Sequence, residues 1–336
     1  MPSRLIGINF HSYGSSRYQN KPTPLPPQNY IEDSFRIFAE NGITCIRVTV
    51  SWESWELHVN QFQEDLNLIA QVADRYEIKC IYDNHQWECS SWIGHGIGMP
   101  NSIMSNYYER RSSDSEPIYN IKKDFWNRWW NRQIKNTEGV DGWDAQLDYL
   151  KGIIKVLKDR KSTFGFEILN EPEVFSLLHY RKVGHYHDYT VRELRKITDK
   201  PLFFCWALPH GVIDTPGLQA TVSPSMKNNV IYDGHAYPPS LSRMLYFRSI
   251  TLLMGNIPLY MGEFNSGFTS GTTLTQNQVY EYIKRFKSFA PYGWALWRWS
   301  YIRDQNIPAF NLTNIVDNRI QTGIYFNYLR NATKRV

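Results

Sequence analysis

The sequence predicts an α/β fold, a single (β/α)8 TIM barrel, on three observations. Short runs of β-branched and aromatic residues alternate along the chain with patterns of helical period. The runs are apolar throughout, which is typical of strands in a parallel sheet that helices cover on both faces. Eight such units occur in the 336 residues, and eight is the number that closes a barrel of this type. No linker, internal repeat or low-complexity tract divides the chain, so we expect one domain over residues 1–336.

The predicted strands follow one another at regular intervals. In chain order they read "RLIGINF", "ITCIRVTV", "IKCIYDNH", "TFGFEILN", "PLFFCWA", "NVIYDGHAY", "IPLYMGEF" and "GWALWRWS". In the first predicted helix, Ile31, Phe35 and Phe38 share one face. Thr275 and Gln278 form a capping-box pattern at the start of a later one. Helices are also predicted near residues 178–197, 240–254 and 276–289.

Two connecting segments are unusual for a barrel. The proline-rich stretch "KPTPLPP" at residues 21–27 is predicted to be the first βα loop. The third βα loop, residues 88–141, is far longer and is rich in aromatic residues. Loops of this length are usually functional or disordered, and the aromatic content argues against disorder.

Composition argues against several classes of protein. The chain carries 37 Lys and Arg against 32 Asp and Glu, a net charge of +5 that is too mild for a dedicated nucleic-acid binder. The four cysteines have irregular spacings, so we expect buried free thiols rather than disulfides or zinc ligands. No run is long enough to cross a bilayer and no signal peptide is visible, so no membrane partner is expected. We expect an extracellular location if a leader was removed, and a cytoplasmic one otherwise.

Polar and aromatic side chains gather where the predicted strands end, which is where barrels of this type place their chemistry. The run "GFEILNEPEV" is informative, since ionised carboxylates are rarely buried unless paired, and Pro172 stops the strand directly after Glu171. Glu171 and Glu263 follow strands four and seven, so we expect them to face each other across the barrel mouth. The full set of candidates is Asn9, His11, Arg47, Asp83, His85, Asn170, Glu171, Trp206, His235, Tyr237, Glu263 and Trp297.

Two facing carboxyl groups can divide acid, base and nucleophilic work when their surroundings differ. Glycoside hydrolysis uses such a pair, because one carboxyl group protonates the leaving oxygen while the other attacks or activates water. Arg47 beside one of the two glutamates would hold it ionised. The other, destabilised as an anion by its neighbour's charge, would keep a proton near neutral pH and serve as the acid. Glu167 and Asp83 lie deeper in their strands and are expected to be paired structural charges.

The strand-end motifs resemble those of glycoside hydrolase family 5, the family of many cellulases. The resemblance lies in "EILNEPE" and "YMGEFNSG", in Arg47, His85 and the "HAY" of residues 235–237, and in a tryptophan of strand eight. It covers nearly the whole barrel, from "GINF" to "WALWRWS". It implies one catalytic domain, double displacement with retention of configuration, and no metal ion or organic cofactor.

The resemblance also implies a role for each matched residue. Glu171 would be the acid/base and Glu263 the nucleophile, with the two carboxyl groups about 5 Å apart. Trp297 would form the floor of the subsite, although Trp299 shares its strand parity and is the alternative. The supporting residues would be Asn170 hydrogen-bonding the sugar 2-hydroxyl, Arg47 orienting Glu263, Tyr237 donating to Glu263, His235 near Glu171, and His85 binding a sugar hydroxyl.

Tryptophans beyond the strand ends predict a groove that binds sugars. Flat rings suit the apolar faces of pyranose units, although about half of these rings are expected only to fasten the loop. With the long aromatic loop as one wall, we favour an endo-β-1,4-glucanase acting on β-glucan. A loop that closes the groove would instead favour exo action or a short glycoside, and β-mannan or another β-glycoside stays open as substrate. The tryptophans are Trp52, Trp55, Trp87, Trp92 and those of "DFWNRWW" at residues 124–130.

Three other functions fit parts of the sequence. A non-catalytic carbohydrate-binding barrel would keep the aromatic groove, but it would be expected to have lost one of the two glutamates. The stretch "KKDFWNRWWNRQIK" at residues 122–135 interleaves basic and aromatic residues, as proteins that bind single-stranded nucleic acid do. A metal-dependent barrel enzyme would hold a divalent ion with Asp83, His85, Glu171, His235 and Glu263.

Overall fold

Eight parallel strands surround the centre of the molecule in the computed structural model, which describes residues 4–11, 26–91, 93, 96–107, 117–205, 207–209 and 228–335. The strands are Leu5–Phe10 (β1), Cys45–Val50 (β2), Lys79–Asn84 (β3), Thr163–Glu167 (β4), Leu202–Cys205 (β5), Val230–Ala236 (β6), Leu259–Phe264 (β7) and Gly293–Trp299 (β8). Each strand pairs with the next along the chain, and β8 pairs with β1, so the barrel is closed. This arrangement confirms the predicted (β/α)8 fold.

Helices cover the outside of the barrel. They are Tyr30–Glu40 (α1), Trp52–Leu57 (α2), Val59–Arg75 (α3), Asn101–Met104 (α4), Ile118–Trp130 (α5), Gly142–Leu157 (α6), Leu177–Leu194 (α7), Leu241–Leu253 (α8), Gln276–Phe289 (α9) and Ile324–Arg335 (α10). The predicted capping box of Thr275 and Gln278 is present at the start of α9. None of the helices in the described part of the chain combines the length and the apolar character needed to span a membrane.

The interior of the barrel changes character along its axis. Near the amino ends of the strands it is filled by a small apolar cluster made of Leu5, Cys45, Ile81, Phe203, Ile231, Tyr260 and Ala295. Above this cluster, towards the carboxyl ends, the inward side chains are ionisable, as Arg47, Glu167 and Asp233 illustrate. The apolar cluster closes the barrel at the amino ends of the strands. The mouth of the barrel is therefore at the carboxyl ends. All four cysteines are free and buried, as predicted.

The long third βα loop has secondary structure of its own. Its described part contains α4, a 3-10 turn at Ser105–Tyr107, and the thirteen-residue helix α5. The α5 helix forms because Ile121, Phe125 and Trp129 recur at a spacing of four and so share one buried face. The loop is thus anchored to the barrel by packing. Most of the predicted first βα loop at residues 21–27 lies outside the described residues.

An irregularity in β8 separates its last two tryptophans. The pairing of β8 with β1 shifts register after Leu296, so that Phe10 pairs with Trp299. Trp299 therefore packs outward against Phe38, with ring centroids 4.8 Å apart, and donates its indole N–H to Ser34 Oγ at 2.9 Å. Trp297 is left facing the mouth. The expectation that the two share a strand face is wrong, because a register shift breaks the alternation of side chains.

Candidate active site

The two strand-end glutamates meet at the centre of the barrel mouth. Glu263 is the fifth residue of β7, and Glu171 follows β4 in the chain. Both are buried, at 3% and 5% exposure. One carboxylate oxygen of Glu171 lies within 4.8 Å of one of Glu263. The structure therefore brings the two carboxyl groups close together, so that both can contact the same small region of the mouth.

Arg47 is the cation on which the site is built. It extends from β2, is completely buried, and donates from Nη1 to Glu263 Oε1 at 2.8 Å and from Nη2 to Asn170 Oδ1 at 2.8 Å. Its Nε donates to Glu167 Oε2 at 2.8 Å, and Asp83 Oδ2 lies 3.0 Å from Nη1. Burial works against its charge, but the surrounding carboxylates, Asp83 foremost, raise the pKa of Arg47 well above its usual value. Glu167 and Asp83 are thus both paired with Arg47, as expected, although burial raises the pKa of Glu167 well above its usual value against the opposing effect of Arg47.

Each of the two glutamates has a polar partner from β6 or the residue that follows it. Tyr237 donates its hydroxyl to Glu263 Oε2 at 2.7 Å. His235 Nδ1 lies 2.7 Å from Glu171 Oε1 and 3.7 Å from Glu263 Oε2. Burial, with Glu263 and Glu171 nearby, raises the pKa of Tyr237 well above its usual value, so its proton stays available for the bond to Glu263.

The chain around Glu171 is held by amide side chains, and two of them, Asn84 and Gln86, were not among the predicted site residues. Glu171 has a φ of 36°, a left-handed conformation that is uncommon for a residue with a side chain. Gln86 fixes this turn, because its Nε2 donates to the carbonyl of Asn170 at 2.9 Å and also to that of Glu171. Asn170 Nδ2 donates back to the carbonyl of Gln86 at 3.0 Å, and Asn84 Nδ2 to that of Ile168 at 2.7 Å. The sequence offered a signal, since Asn84 and Gln86 flank His85.

His85 and Trp297 form one side of the mouth together. Their rings stack with centroids 5.5 Å apart and an interplanar angle of 17°. His85 Nδ1 is hydrogen-bonded to Asp83 Oδ2 at 2.7 Å, which fixes the ring plane. Arg298 lies over the Trp297 ring at 5.5 Å, and the Trp297–Arg298 peptide bond is cis. The predicted site residues Arg47, His85, Asn170, Glu171, His235, Tyr237, Glu263 and Trp297 are therefore brought together by the fold.

A cavity of about 340 Å³ opens above the two glutamates. Its floor is polar and includes His85, Asn170, Glu171 and Glu263. One wall is apolar and consists of Trp87, Ile97, Phe268, Ile302, Ile307 and Phe310. Trp87 and Phe268 are 39% and 51% exposed and stack with ring planes 5° apart. The cavity thus combines hydroxyl-binding groups at its base with a wall suited to apolar surface.

Most of the tryptophans predicted to form a sugar groove lie elsewhere. Trp126, Trp129 and Trp130 are buried in the loop, and Trp52 stacks on Tyr149 with centroids 5.6 Å apart. These are rings of the kind that was expected only to fasten the loop, because helical spacing turns those of α5 inward. Their burial also removes the aromatic faces that nucleic-acid binding through residues 122–135 would need. Trp92 and Trp206 lie outside the described residues.

Asn9 and His11 have different surroundings at the end of β1. Asn9 is fully buried, accepts from Arg47 at 2.9 Å and donates to the carbonyl of Gly262 at 2.8 Å. It therefore belongs to the framework beneath the glutamates. His11 lines the cavity, and burial, with Arg298 and His85 nearby, lowers its pKa well below the usual value.

The metal hypothesis has a geometric basis in the described residues. Three sets of donor atoms each lie within 4.8 Å of one another: Asp83, His85 and Glu263; Glu167, Cys205 and His235; and Glu171, His235 and Glu263. These groups already have partners, since Arg47 and Tyr237 donate to the two oxygens of Glu263 and Arg47 donates to Glu167. Burial also raises the pKa of Cys205 to about 12, which disfavours the thiolate a metal would need. The donors fit a network of internal hydrogen bonds better than an ion.

A (β/α)8 barrel with two buried glutamates facing each other at its mouth places the chain among the barrel glycoside hydrolases. The family model described as Cellulase (glycosyl hydrolase family 5) matches residues 5–301. The chain therefore belongs to glycoside hydrolase family 5. The resemblance of the strand-end motifs to this family is confirmed.

Solved structures of similar fold include enzymes with different printed activities. An endo-glycoceramidase II from Rhodococcus sp. has a TM-score of 0.68 at 15% identity, over 97% of this chain and 78% of that chain. A triple mutant of an endo-β-1,4-glucanase from Xanthomonas axonopodis pv. citri has a TM-score of 0.68 at 15% identity, over 99% and 100%. An endoglucanase from Pseudomonas stutzeri has a TM-score of 0.65 at 15% identity, over 98% and 93%. At such identities the likeness shows the fold alone.

One curated relative has a higher local identity. A glucosylceramidase of Rhizopus delemar is 32% identical over 98 residues, which are 28% of this chain. The match spans 14% of the length of that relative. Its activity therefore bears on this chain only as a suggestion about substrate.

Proposed function

We propose that the protein is a retaining β-glycoside hydrolase in which Glu263 is the nucleophile and Glu171 the acid/base. The observation that carries this proposal is the separation of the two carboxylates, whose oxygens approach within 4.8 Å. Retaining enzymes place their carboxyl groups about 5 to 5.5 Å apart, whereas inverting enzymes leave about 6.5 to 9.5 Å for a water molecule. The spacing therefore favours direct attack by a carboxylate.

The hydrogen bonds of the two glutamates support these different roles. Glu263 accepts one bond from Arg47 and one from Tyr237, and donors of this kind favour an ionised carboxylate ready to attack the anomeric carbon. Glu171 receives no bond from Arg47 in the described network, and His235 contacts its Oε1. Its other oxygen is left to carry the proton that goes to the leaving group.

The double displacement then proceeds in two steps. In the first, a Glu263 oxygen bonds to the anomeric carbon, the glycosidic bond breaks, and Glu171 gives its proton to the departing oxygen. In the second, Glu171 takes a proton from water, and that water displaces Glu263 from the sugar. Both steps need one carboxyl group on each side of the anomeric carbon, and β4 and β7 supply them from opposite sides of the barrel.

The remaining site residues would bind the sugar whose bond is cleaved. Asn170 is fixed by Arg47 and Gln86, so its amide is pre-oriented for the sugar 2-hydroxyl. His85 keeps Nε2 for a sugar hydroxyl, because its Nδ1 is bound to Asp83. Trp297 presents its ring at the cavity floor beside His85. No metal ion or organic cofactor takes part in this mechanism.

The sugar polymer we propose is β-1,4-glucan, cleaved by endo action. Two of the solved structures of similar fold carry the names endo-β-1,4-glucanase and endoglucanase. Within the cavity, Trp87 and Trp297 supply the ring faces that glucosyl units would stack on.

A second substrate class is a short β-glycoside with an apolar aglycone. The observation that favours it is the apolar wall of the cavity, where Ile97, Ile302 and Ile307 stand beside the exposed ring of Phe268. Isoleucine side chains do not suit sugar hydroxyls, but they suit an alkyl chain. The names glycoceramidase and glucosylceramidase among the relatives are consistent with such an aglycone.

The catalytic assignment is tested with Glu171→Gln and Glu263→Gln. Each is expected to lower kcat by several orders of magnitude while circular dichroism and thermal unfolding stay as in the wild type. A fluorinated glucoside with a good leaving group should label Glu263 covalently, and the first sugar released from an aryl β-glucoside should have the β configuration by proton NMR. Near-normal turnover in either variant, or release of the α anomer, would contradict the mechanism.

The substrate is tested by a parallel screen with the wild-type enzyme. Carboxymethylcellulose, mixed-linkage β-glucan, mannan and xylan are compared with aryl β-glucosides and with alkyl β-glucosides of increasing chain length. Rapid loss of viscosity of carboxymethylcellulose would support the endoglucanase. A kcat/KM that rises with alkyl chain length, without action on polymers, would support the apolar aglycone instead. A chelator added to each assay should leave the rate unchanged, and loss with recovery on adding a divalent ion would revive the metal hypothesis.

A further inference from the structure

Beneath the two glutamates lies a second layer of carboxylates that the proposed mechanism does not use. It consists of Asp83, Glu167 and Asp233, each with no exposed surface. Arg47 contacts all of them, at 3.0 Å, 2.8 Å and 3.4 Å respectively. Asp233 differs from the others because it also lies beside His235.

The position of Asp233 is fixed by the strand that carries Glu263. Its Oδ1 accepts the backbone N–H of Gly262 at 2.6 Å. A Cβ at position 262 would lie 2.1 Å from Asp233 Oδ2, so only glycine leaves room for this carboxylate. Asp233 Oδ2 accepts no hydrogen bond among the described residues, yet it lies 3.6 Å from His235 Nε2 and 3.4 Å from Arg47 Nε. A buried carboxylate oxygen of this kind needs nearby positive charge.

Both ring nitrogens of His235 face groups that accept hydrogen bonds. Nδ1 lies 2.7 Å from Glu171 Oε1, while Nε2 lies 3.6 Å from Asp233 Oδ2 and 3.8 Å from Cys205 Sγ. A neutral ring with its single N–H at Nδ1 could accept from the Cys205 thiol at Nε2, but it would leave Asp233 Oδ2 facing a nitrogen without a proton. Burial opposes a charged ring, but Cys205, Glu263 and Asp233 together raise the pKa of His235 well above its usual value.

We infer that Asp233 is a positioning residue that keeps His235 as an imidazolium cation between the two glutamates. The inference rests on the proposed function. When Glu263 bonds to the anomeric carbon and Glu171 gives up its proton, one negative charge moves from Glu263 to Glu171. The Nδ1–H of His235, 2.7 Å from Glu171 and 3.7 Å from Glu263, stays near that charge in both states. Asp233 maintains the cation without touching the substrate.

Other charged and titratable groups face this pair from the neighbouring strands. These groups also influence the pKa of His235. The test therefore needs a matched control, because any change in local charge would act on His235. These groups are Arg47, Asp83, Glu167, Glu171, Cys205, Tyr237, Tyr260 and Glu263.

The test compares the kcat/KM pH profile of Asp233→Asn with that of Asp83→Asn. Both variants remove one buried carboxylate that contacts Arg47, but the ring bonded to Asp83 is His85. Removing the anion beside His235 makes the protonated form of the Glu171–His235 pair less stable. We therefore expect the alkaline limb of the profile to move to lower pH by about one unit in Asp233→Asn, and by much less in Asp83→Asn. Equal shifts in the two variants, or an unchanged limb in Asp233→Asn, would overturn the inference.

A second measurement reads the protonation of the wild-type protein and does not depend on how Asp233→Asn and Asp83→Asn fold. NMR of protein labelled with 15N-histidine reports which ring nitrogens carry protons, and His235→Gln identifies the signals. We expect both nitrogens of His235 to be protonated from pH 6 to pH 8. A neutral ring in that range would rule out the cation. Retention of configuration in the wild type, measured separately, shows whether the proposed function stands when this inference fails.

Discussion

The aromatic side chains of α5 and those of the barrel mouth differ in what surrounds them, although each group includes tryptophan. The α5 aromatic cluster, which is Phe125, Trp126, Trp129 and Trp130, is fully enclosed. Its rings pack on one another and on Tyr186 of α7, with Trp130 donating its indole N–H to the carbonyl of Glu173 at 2.8 Å. The mouth aromatics, which are Trp87, Phe268, Trp297 and Phe310, line the cavity.

This comparison teaches that aromatic content alone does not indicate a sugar-binding surface. The α5 rings recur at helical spacing, so one face of the helix collects them and the barrel covers that face. The mouth aromatics come from β8, which carries Trp297, and from separate segments beyond the strands that converge at the strand ends. Stability is therefore expected to depend on the first group and substrate binding on the second.

The largest expected effect is on stability, from Trp129→Ala. This ring is buried between Phe125 and Tyr186, and its loss should lower the free energy of unfolding by about 3 to 5 kcal/mol, measured by urea denaturation. Trp129→Phe is the control, and it should cost much less because the Trp129 indole N–H has no hydrogen-bond partner among the described residues. Both variants should keep the wild-type kcat below their unfolding transitions. A changed kcat with an unchanged free energy of unfolding in Trp129→Ala would show that the α5 aromatic cluster serves activity rather than stability.

A smaller effect is expected from His187, which belongs to the same packed layer through Tyr186. The two rings lie 5.4 Å apart, and burial lowers the pKa of His187 to about 3. The unfolded chain takes up a proton at this histidine below about pH 6.5, while the folded protein does not. The wild type should therefore lose about 2.5 kcal/mol more than His187→Leu between about pH 6.5 and about pH 4.5.

Thermal or urea unfolding at several pH values checks this difference. The control is His185→Gln, since His185 is exposed on the same helix and should leave the pH dependence as in the wild type. If the free energy of unfolding fell with pH equally in the wild type and in His187→Leu, the prediction would be contradicted, because the folded protein would then accept a charged ring at His187.

The smallest expected effect is on binding, from Trp87→Ala. Removing this exposed ring should raise KM about tenfold, the range of a lost stacking contact, and change the free energy of unfolding by less than about 0.5 kcal/mol. Steady-state kinetics and urea denaturation provide the two measurements. Tyr119→Ala is a matched control, because Tyr119 is a similarly exposed ring of α5 that does not line the cavity. An equal rise in KM in both variants would show that position at the mouth is not what matters.

The barrel was predictable because its strands and helices are local in sequence. Each strand is a short apolar run, and each helix shows its own period, so the fold follows from counting units. Glu171 and Glu263 were predictable as neighbours for a related reason, since all strands of a parallel barrel end on one face. The orientation of Trp297 relative to Trp299 was not, because it depends on a register shift between β8 and β1 that no single strand encodes.

The second layer of charges was only partly visible in the sequence. Asp83 and Glu167 were recognised as buried pairs, but Asp233 was overlooked because it lies inside the apolar-looking run "NVIYDGHAY". Its place becomes apparent only when β6 and β7 are side by side and Gly262 leaves room for its carboxylate. Gln86 was missed for the same reason, since its partners lie 84 and 85 residues away along the chain. Contacts between strands decide these positions.

The single guanidinium of Arg47 has a consequence for how this molecule acquires activity. It contacts side chains from β1, β3, β4, β6 and β7, so its surroundings exist only after the last strands have joined the first. A half-barrel fragment would contain at most one of the two glutamates together with Arg47. During refolding, turnover should therefore return in a single step, when the barrel closes. Enzyme activity would then report directly on barrel closure.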